Sequence, residues 1–418
     1  MYNISIVGAG LAGCEVALQL SSYGYNVRIF DSKPTKLLPA YNYSTYAELV
    51  CNNSLGNIDT STPLGLLLYE LELFDSKLLK IAKKCSIKDN MFFAIDKKRF
   101  SQMVTNELIS NGVTIINKHI NHIPNDDYTI IATGPFTDSF ILEELSNKYG
   151  LKHYYFSDAS SPVVDIKSIN INDKQISKLS NDLYVVGFSN DLLRAFHEKL
   201  INSKHRDCIG ELIDFEKCQS IENLAKLGVK NLVETRLTYP NMDNPCLLLR
   251  RENGLENGFI LVGCMTTLSH KEQKNVFSVL PGFENVRFVK YGRMHQNTFL
   301  HSPGFLNGFY QINNSNIFVV GQLSGIDGYA PAISSGLVAA LKIVYGDKLP
   351  AIPKHTMIGG LANYISNIQI TDFQPMCASN ALVYNYSYHQ ENISKKHIFS
   401  YNKQLKSLVH IFDKNIKS

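Results

Sequence analysis

The sequence contains no tryptophan, no long apolar run and little excess charge of either sign. Its formal net charge is +4 over 418 residues, which permits a nucleic-acid partner but does not require one. Because no run of about twenty apolar residues occurs, we expect no membrane-spanning segment and no membrane partner. The apolar start of the sequence lacks a basic leader and is interrupted by glycines, unlike a signal peptide.

Cysteine is present but sparse, with eight residues that lack the paired spacing of metal ligands and the density of a disulfide framework. We therefore expect free thiols, no metal site and a cytoplasmic location. The length is sufficient for two or three domains, and the apolar content of 44% is sufficient for large cores.

The most informative stretch lies near the start of the chain. An apolar strand leads into the pattern Gly8-Ala9-Gly10-Leu11-Ala12-Gly13, a helix-like run follows, and a second strand ends at Asp31. Gly8 permits a tight turn, Gly10 lets a pyrophosphate approach the backbone, and Gly13 lets the helix pack against the strand. The free N–H groups of the helix terminus attract phosphates, and Asp31 is placed to bind a ribose. This pattern predicts dinucleotide binding.

Two later strands also end at glycines, one at Thr133-Gly134 and one at Gly321-Gln322, the second followed by a helix. A late strand and helix that return to the first nucleotide motif suit a flavin dinucleotide, so we predict FAD rather than NAD as the tightly bound cofactor. The predicted fold class is α/β, with a Rossmann-like FAD-binding domain of the two-dinucleotide-binding flavoprotein type.

This domain is predicted to be discontinuous, comprising residues 1–150 and 304–418. Residues 151–303 are predicted to form a smaller inserted α/β domain for the substrate. The basic stretch 393–416 has helical apolar spacing, which favours a packing helix over a binding site.

Six runs spread over nearly the whole chain form a recognisable set. They are Gly8-Ala9-Gly10-Leu11-Ala12-Gly13-Cys14-Glu15, Ala47-Glu48-Leu49-Val50-Cys51-Asn52-Asn53-Ser54-Leu55, Ala132-Thr133-Gly134-Pro135, Phe215-Glu216-Lys217-Cys218, Tyr291-Gly292-Arg293-Met294-His295-Gln296-Asn297-Thr298-Phe299 and Phe373-Gln374-Pro375-Met376. Together they resemble the folate- and FAD-dependent RNA uracil-5-methyltransferases. The resemblance implies formation of 5-methyluridine, with 5,10-methylenetetrahydrofolate as carbon donor, reduced FAD as hydride donor and NAD(P)H as reductant.

Cys51 and Cys218 match the two functional cysteines of that family. A thiolate that adds to uracil C6 gives C5 the character of an enolate, which can attack the one-carbon unit, and a base must then remove the C5 proton. The order of the two thiols stays open. The resemblance makes His295 the candidate that stacks on the pterin, and Arg293 and Asn297 could meet folate or RNA.

A possible phosphate track consists of scattered basic residues, although such residues are more often solvated surface. They are Lys97, Lys98, Arg99, Arg250, Arg251, Lys271 and Lys274.

The region around the second cysteine departs from the family pattern. The family usually continues with Met-Pro-Ile-Glu, whereas this sequence has Gln219-Ser220-Ile221-Glu222, and a further glycine- and proline-rich family run is replaced near residues 235–240. Because the nucleotide-binding half is kept and the presumed RNA-facing half has diverged, we slightly favour 23S ribosomal RNA over the tRNA T-loop as substrate.

Three other functions stay open. One is a catalytically silent RNA-binding flavoprotein, and another is a small-molecule flavin oxidoreductase. The third is the flavoprotein that builds aminomethyl groups on wobble uridines, whose family is much longer, with a C-terminal extension for its partner that is not expected here. No oligomeric state is predicted.

Overall fold

The computed structural model describes residues 2–35, 41–87, 92–204, 220–239, 242, 244–252, 257–292 and 294–416, without the side chains of 156–159, 294–296 and 409–416. The chain forms two compact units. The first unit comprises Met1–Tyr154 and Thr298–Ser418, and the second unit comprises Tyr155–Asn297.

The strands in chain order are β1 (Asn3–Val7), β2 (Asn26–Asp31), β3 (Ser54–Asn57), β4 (Phe92–Ala94), β5 (Thr114–Asn117), β6 (Tyr128–Ile131), β7 (His153–Ala159), β8 (Val163–Asp165), β9 (Ile176–Ser180), β10 (Leu183–Gly187), β11 (Cys246–Arg251), β12 (Gly258–Leu261), β13 (Phe288–Lys290), β14 (Met294–Leu300) and β15 (Ile317–Val319).

The α-helices are α1 (Leu11–Ser22), α2 (Pro63–Leu73), α3 (Lys77–Lys84), α4 (Lys97–Ser110), α5 (Ser139–Tyr149), α6 (Asn190–Asn202), α7 (Ile221–Lys226), α8 (Val229–Arg236), α9 (His270–Phe277), α10 (Tyr329–Tyr345), α11 (Met357–Ser366) and α12 (Gln390–Ile416).

The first unit is organised by a parallel sheet with the strand order β15-β6-β1-β2-β5. Ile4 of β1 lies beside Val27 on one side and Tyr128 on the other. Strand β1 is apolar because both faces of a parallel sheet are covered, and Ile4 and Ile6 are fully buried. The strand order reverses at β1, and a ligand in such a sheet binds beyond the carboxyl ends at that point. The predicted α/β class with a Rossmann-like sheet is confirmed.

Helix α10 packs directly on α1. A Cβ atom added to Gly336 would lie 2.4 Å from the carbonyl oxygen of Ala12, so only glycine permits this approach. Among the described residues, the stretch Tyr329–Lys348 is the one helix long and apolar enough to cross a membrane, and most of it is buried inside the protein. A core helix has the same composition, and α10 packs as one.

Two buried carboxylates anchor helices of the first unit. Glu15 on α1 accepts hydrogen bonds from the Ser76 hydroxyl and the Leu78 amide, at 3.0 and 2.8 Å, at the beginning of α3. Glu70 on α2 accepts the amides of Met357 and Ile358, at 2.8 and 2.9 Å, at the beginning of α11. Each carboxylate satisfies N–H groups that a helix leaves without internal partners.

The second unit contains an antiparallel sheet in the order β13-β8-β12-β11-β10-β9. In the β10–β11 pair, Val186 lies opposite Leu247 and faces a core that includes Phe196 of α6 and Phe277 of α9. Adjacent residues on these strands belong to a separate, smaller cluster, as the alternation of a pleated sheet requires. Strands β7 and β14 pair as a two-stranded sheet.

Candidate functional site

The glycine loop between β1 and α1 has the geometry that its sequence predicts. Gly8 has φ +103°, and a Cβ there would lie 2.4 Å from the Ala132 carbonyl oxygen. A Cβ on Gly13 would lie 2.0 Å from the Gly8 carbonyl oxygen, which no side chain allows. A Cβ on Gly10 would meet nothing within 4 Å, so the backbone there faces open space. The loop is therefore closed on the protein side and accessible on the other.

The beginning of α1 carries no side-chain cap and no acidic residue in its first turn. Its N–H groups are therefore available to an anionic ligand, and the helix dipole places partial positive charge there. Together with the open backbone at Gly10, this arrangement fits the pyrophosphate of a dinucleotide.

Asp31 connects the glycine loop to the end of β2. Its two carboxylate oxygens accept hydrogen bonds from the Ala9 amide at 2.7 Å and from the Lys33 amide at 2.8 Å. Each oxygen can accept a second hydrogen bond, so Asp31 retains capacity for a ribose hydroxyl. The sequence predicts a ligand contact for Asp31, and the structure adds a second role in shaping the loop.

A buried ion pair holds the segment that follows residue 40. The Lys33 ammonium lies 3.1 Å from Glu48, and both side chains are almost completely buried. Glu48 also accepts the Asn42 amide at 2.7 Å, and the Ala47 amide donates to the Ala9 carbonyl oxygen at 2.9 Å. These bonds hold the segment leading to Cys51 against the glycine loop.

Cys51 is half-buried and adjoins Tyr329, the first residue of α10. The Tyr329 hydroxyl oxygen accepts the amides of Cys51 at 2.6 Å and Asn52 at 3.2 Å. Loss of water around the phenol raises the pKa of Tyr329 well above its ordinary value, and the charge of Cys51 and a side-chain hydrogen bond with it add to the rise. The hydroxyl therefore keeps its proton, and a donor of this kind stabilises a thiolate beside it.

Tyr329 is a residue that the sequence does not identify. It lies 278 residues from Cys51 and outside the runs that carry the resemblance. Its only signal is its position at the beginning of the helix that follows Gly321-Gln322, where a late strand and helix return to the nucleotide-binding sheet.

The predicted glycines of the two later strands lie at the carboxyl ends of β6 and β15. Thr133 bonds to the Thr137 hydroxyl at 2.6 Å, and Gly134 has φ +68°. A Cβ on Gly321 would lie 3.2 Å from the Ala12 side chain, and the Gln322 amide donates to Asp327 at 3.2 Å. These residues and the glycine loop share one edge of the parallel sheet.

The remaining predicted site residues are described only in part. Cys218 and Arg293 lie outside the described residues. His295 is on β14, in the second unit, and its side chain is not among those described. Asn297 is buried. A site that combines both cysteines with His295 stays a prediction.

The seven basic residues predicted as a possible phosphate track are not all free on the surface. Lys97 and Arg250 are buried, and Arg251 forms an ion pair with Asp182. The remaining four are exposed, at Lys98, Arg99, Lys271 and Lys274. The seven residues do not form a stripe of free surface cations. Within the described part of the chain, no three histidine, cysteine, aspartate or glutamate residues cluster in a way that could hold a metal ion.

The six cysteines that the structure describes are free thiols, and Cys14, Cys85, Cys246 and Cys264 are buried among them. Burial raises the pKa of the Cys14 and Cys264 thiols far above the ordinary value, so these two stay protonated. Cys51 and Cys377 are the described cysteines with partly accessible side chains.

Comparison with known proteins gives one family match and several relatives that each cover most of the chain. The family described as glucose inhibited division protein A matches residues 3–346. The methylenetetrahydrofolate–tRNA-(uracil-5-)-methyltransferase TrmFO of Acetivibrio thermocellus is 35% identical over 393 residues, covering 89% of this chain and 90% of the relative. The enzyme of the same name from Lactobacillus johnsonii is 34% identical and covers 97% of both chains. That of Bacillus subtilis is 35% identical and covers 91% and 92%.

Among solved structures, GidA of Aquifex aeolicus in its form II crystal has a TM-score of 0.70 with 16% identity, covering all of this chain and 76% of that one. Its form I crystal structure has a TM-score of 0.71. At this identity the likeness concerns the fold.

Proposed function

Because the chain belongs to the methylenetetrahydrofolate–tRNA-(uracil-5-)-methyltransferase family, we propose that it methylates C5 of a uridine in tRNA. The carbon donor is 5,10-methylenetetrahydrofolate, and the product is 5-methyluridine. The observation that carries the proposal is Cys51, in a run specific to the resemblance, held by Tyr329 in the unit that contains the glycine loop.

The choice of tRNA replaces the slight preference for 23S ribosomal RNA. That preference rested on divergence of the region around Cys218 and residues 235–240, and the reported relatives, at 34% to 35% identity, are all named for tRNA. The tRNA T-loop uridine is the position that the resemblance implies, and it is the target that we propose.

The residues present fit FAD as the resident cofactor. The open backbone at Gly10 and the uncapped beginning of α1 suit its pyrophosphate, and Asp31 can bind its ribose. The other residues that we propose for holding it are Gly8, Ala9, Leu11, Ala12, Gly13, Thr133, Gly134, Gly321 and Gln322. When bound and reduced by NAD(P)H, FAD supplies the hydride that completes the methyl group.

The residues of the chain contribute the nucleophile and the proton transfers. Tyr329 positions the backbone at Cys51 and stabilises its thiolate. We propose that one of Cys51 and Cys218 adds to uracil C6 and that the other acts where the C5 proton is removed. His295 is proposed to stack on the pterin. We also propose a cytoplasmic location, where the described free thiols would stay reduced.

The test is a methylation assay with purified protein, unmodified tRNA transcript, carbon-labelled methylenetetrahydrofolate and NAD(P)H. We expect label in 5-methyluridine of tRNA and none in a 23S ribosomal RNA fragment. Cys51→Ala is expected to lose activity by at least about a hundredfold, the scale of a lost covalent or acid–base group. Cys85→Ala, which removes a buried thiol, is the matched control.

Methylation that requires S-adenosylmethionine instead of folate would overturn the proposal. Unchanged tRNA methylation by Cys51→Ala would remove Cys51 from the mechanism. Wild-type protein that binds tRNA and flavin, but forms no methyluridine with any donor, would favour the catalytically silent alternative.

Wobble-uridine modification stays the alternative proposal, because the glucose inhibited division protein A match and the GidA fold are compatible with it and name no substrate. The fold alone does not choose a substrate, because one scaffold hosts several chemistries. In the same assay, formation of an aminomethyl group on a wobble uridine in place of 5-methyluridine would favour this alternative.

A further inference from the structure

Helix α12 has one face that packs and one that does not. Ile398, Tyr401 and Leu405 are buried on its inner face. The Tyr401 hydroxyl donates to the Pro350 carbonyl oxygen at 2.8 Å, and the Asn402 amide donates to the Leu73 carbonyl oxygen at 3.0 Å. The helix is therefore fixed to the first unit, and its outward face has a defined orientation.

The outward face carries positive charge around an aromatic ring. Residues 395, 396, 399, 403 and 406 recur at the spacing of one helical face. They are Lys395, Lys396, Phe399, Lys403 and Lys406, all exposed, with Phe399 at 57%. An exposed phenylalanine surrounded by lysines is unusual on a protein surface, because it combines exposed apolar area with positive charge.

This positive charge is not neutralised locally. Between residues 390 and 408 the single acidic residue is Glu391, which accepts the Thr60 hydroxyl at 2.6 Å. Within the described chain, none of the four lysines of the outward face lies in an ion pair. A polyanion is the partner that such a surface attracts.

Three tyrosines extend the surface beyond the beginning of α12. Tyr384, Tyr386 and Tyr388 alternate along the preceding segment and are 48%, 38% and 91% exposed. The Lys354 ammonium lies 3.8 Å from the centroid of the Tyr384 ring. Cations beside aromatic faces are the combination that holds unpaired bases together with their phosphates.

The tyrosine segment and the helix are physically connected. His355 lies 5.1 Å from the Tyr384 ring and stacks on His397 of α12 at 4.6 Å between centroids. Burial lowers the pKa of His397, and the charges of His355 and Lys396 lower it further. These side chains form a continuous path from Lys354 to His397, so the two parts make one surface, which we call the α12 surface.

We propose that the α12 surface binds the RNA substrate, with Lys354, Lys395, Lys396 and Lys403 on phosphates and with Tyr388 and Phe399 stacking on unpaired bases. This inference rests on the proposed function only in taking RNA as the substrate. It assigns a docking surface that shares no residue with the glycine loop, Cys51 or Tyr329.

The test compares two triple variants of the full-length holoprotein. Lys395→Ala/Lys396→Ala/Lys403→Ala removes three charges from the α12 surface. Lys80→Ala/Lys118→Ala/Lys148→Ala removes three exposed charges from α3, the segment after β5, and α5, and serves as the charge-matched control. Affinity for unmodified tRNA transcript is measured between 50 and 200 mM salt.

Each phosphate contact to a single strand adds about 0.7 to the slope of log affinity against log salt, so removal of three such contacts should reduce the slope by about 2.1. Wild type should therefore lose roughly 20-fold more affinity than the α12 variant across this fourfold range of salt. The control variant should keep the wild-type slope.

The aromatic residues are tested by Tyr388→Ala and Phe399→Ala, with Tyr388→Phe and Phe399→Tyr as conservative counterparts. Loss of one stacked base should weaken binding roughly tenfold without changing the salt slope, and the conservative variants should bind as wild type. In the methylation assay, the triple lysine variant and the two alanine variants should raise KM for tRNA, keep kcat and keep the flavin spectrum, whereas the conservative variants should keep the KM of wild type.

An α12 triple variant with the slope and affinity of the control would overturn the inference while leaving wild-type methylation intact. A surface that serves a protein partner would give this result. Conversely, lysine-dependent tRNA binding by a wild-type protein that forms no methyluridine would support the α12 surface and defeat the proposed function.

Discussion

The first unit is built on a parallel sheet and the second on an antiparallel sheet. The two units differ in how well their functional residues can be predicted from the sequence. In the first unit, Gly8 and Gly13 mark the site because the backbone geometry there excludes any side chain. In the second unit, Gly292 after β13 is as closely packed, but its neighbours are Thr266, Ser160 and Gln273 of the same unit, so it reflects internal packing.

Glu222 illustrates the contrast. It follows Cys218 in the run that departs from the family pattern, and it is fully buried. Its carboxylate accepts the Thr266 hydroxyl at 3.0 Å and the Thr267 amide at 2.6 Å. Ser220 accepts the Asn223 amide at the beginning of α7. The residues of this divergent run therefore make structural contacts inside the second unit. Their divergence from the family pattern is weak evidence about which RNA the protein selects.

The largest effect is expected from Gly13→Ala in the first unit. The added Cβ would lie 2.0 Å from backbone, so we expect a loss of more than about 3 kcal/mol in unfolding free energy and loss of bound flavin. Gly10→Ala, whose Cβ meets no protein atom, is the control for folding alone, because the backbone of Gly10 is where the pyrophosphate is proposed to bind. Thermal unfolding measures the stability of the two variants, and visible flavin absorbance measures the flavin bound by Gly13→Ala. Equal melting temperatures for Gly13→Ala and wild type would contradict the close packing.

Glu70 predicts a pH dependence that belongs to the first unit. Burial raises the pKa of Glu70 from 4.5 to about 7 despite its helix-capping bonds. The folded state then holds the proton more tightly than the unfolded state. The stabilisation that Glu70 gains from its tighter proton binding in the folded state is complete below pH 4.5, and it is lost as the pH rises towards 7. The difference amounts to about 3 kcal/mol at most.

Glu70→Gln cannot ionise, so its unfolding free energy should vary less between pH 5 and 8 than that of wild type. Denaturant titrations at several pH values measure this, with Glu72→Gln on the same helix as the control. Parallel pH profiles for wild type and Glu70→Gln would rule out the buried titration.

A smaller effect, confined to the second unit, is expected from Glu222→Ala. Thr266 and Thr267 would lose their acceptor, at a cost of about 2 kcal/mol. Hydrogen exchange should rise in α7 and the 266–268 segment while flavin absorbance stays unchanged. Loss of flavin together with this local opening would mean that the two units depend on each other more closely than their separate cores indicate.

Tyr329→Phe should have the smallest effect on stability, about 1 kcal/mol, because two half-buried amides lose one shared acceptor. The Cys51 thiolate would also lose its hydroxyl donor. Alkylation of Cys51 at pH 7, followed by peptide mass spectrometry, should be several-fold slower. Tyr345→Phe, on the same helix, is the control. An unchanged alkylation rate would separate Tyr329 from the reactivity of Cys51.

Much of the first unit could be predicted from local patterns. The turn at Gly8, the close contact at Gly13 and the strand ends at Gly134 and Gly321 all follow from backbone requirements within a few residues. The buried pair of Lys33 and Glu48 could not be predicted, because the segment between them has no periodicity from which a contact could be read.

The amino-acid sequence by itself determined the parallel nucleotide-binding sheet and the identity of Cys51 as a candidate nucleophile. These depend on short-range sterics and on a run of neighbouring residues. Only the tertiary structure decided that Tyr329 adjoins Cys51 and that α12 presents lysines and Phe399 on one outward face above a buried one. Such contacts join residues far apart in the chain, and they arise from helix packing rather than from any local preference.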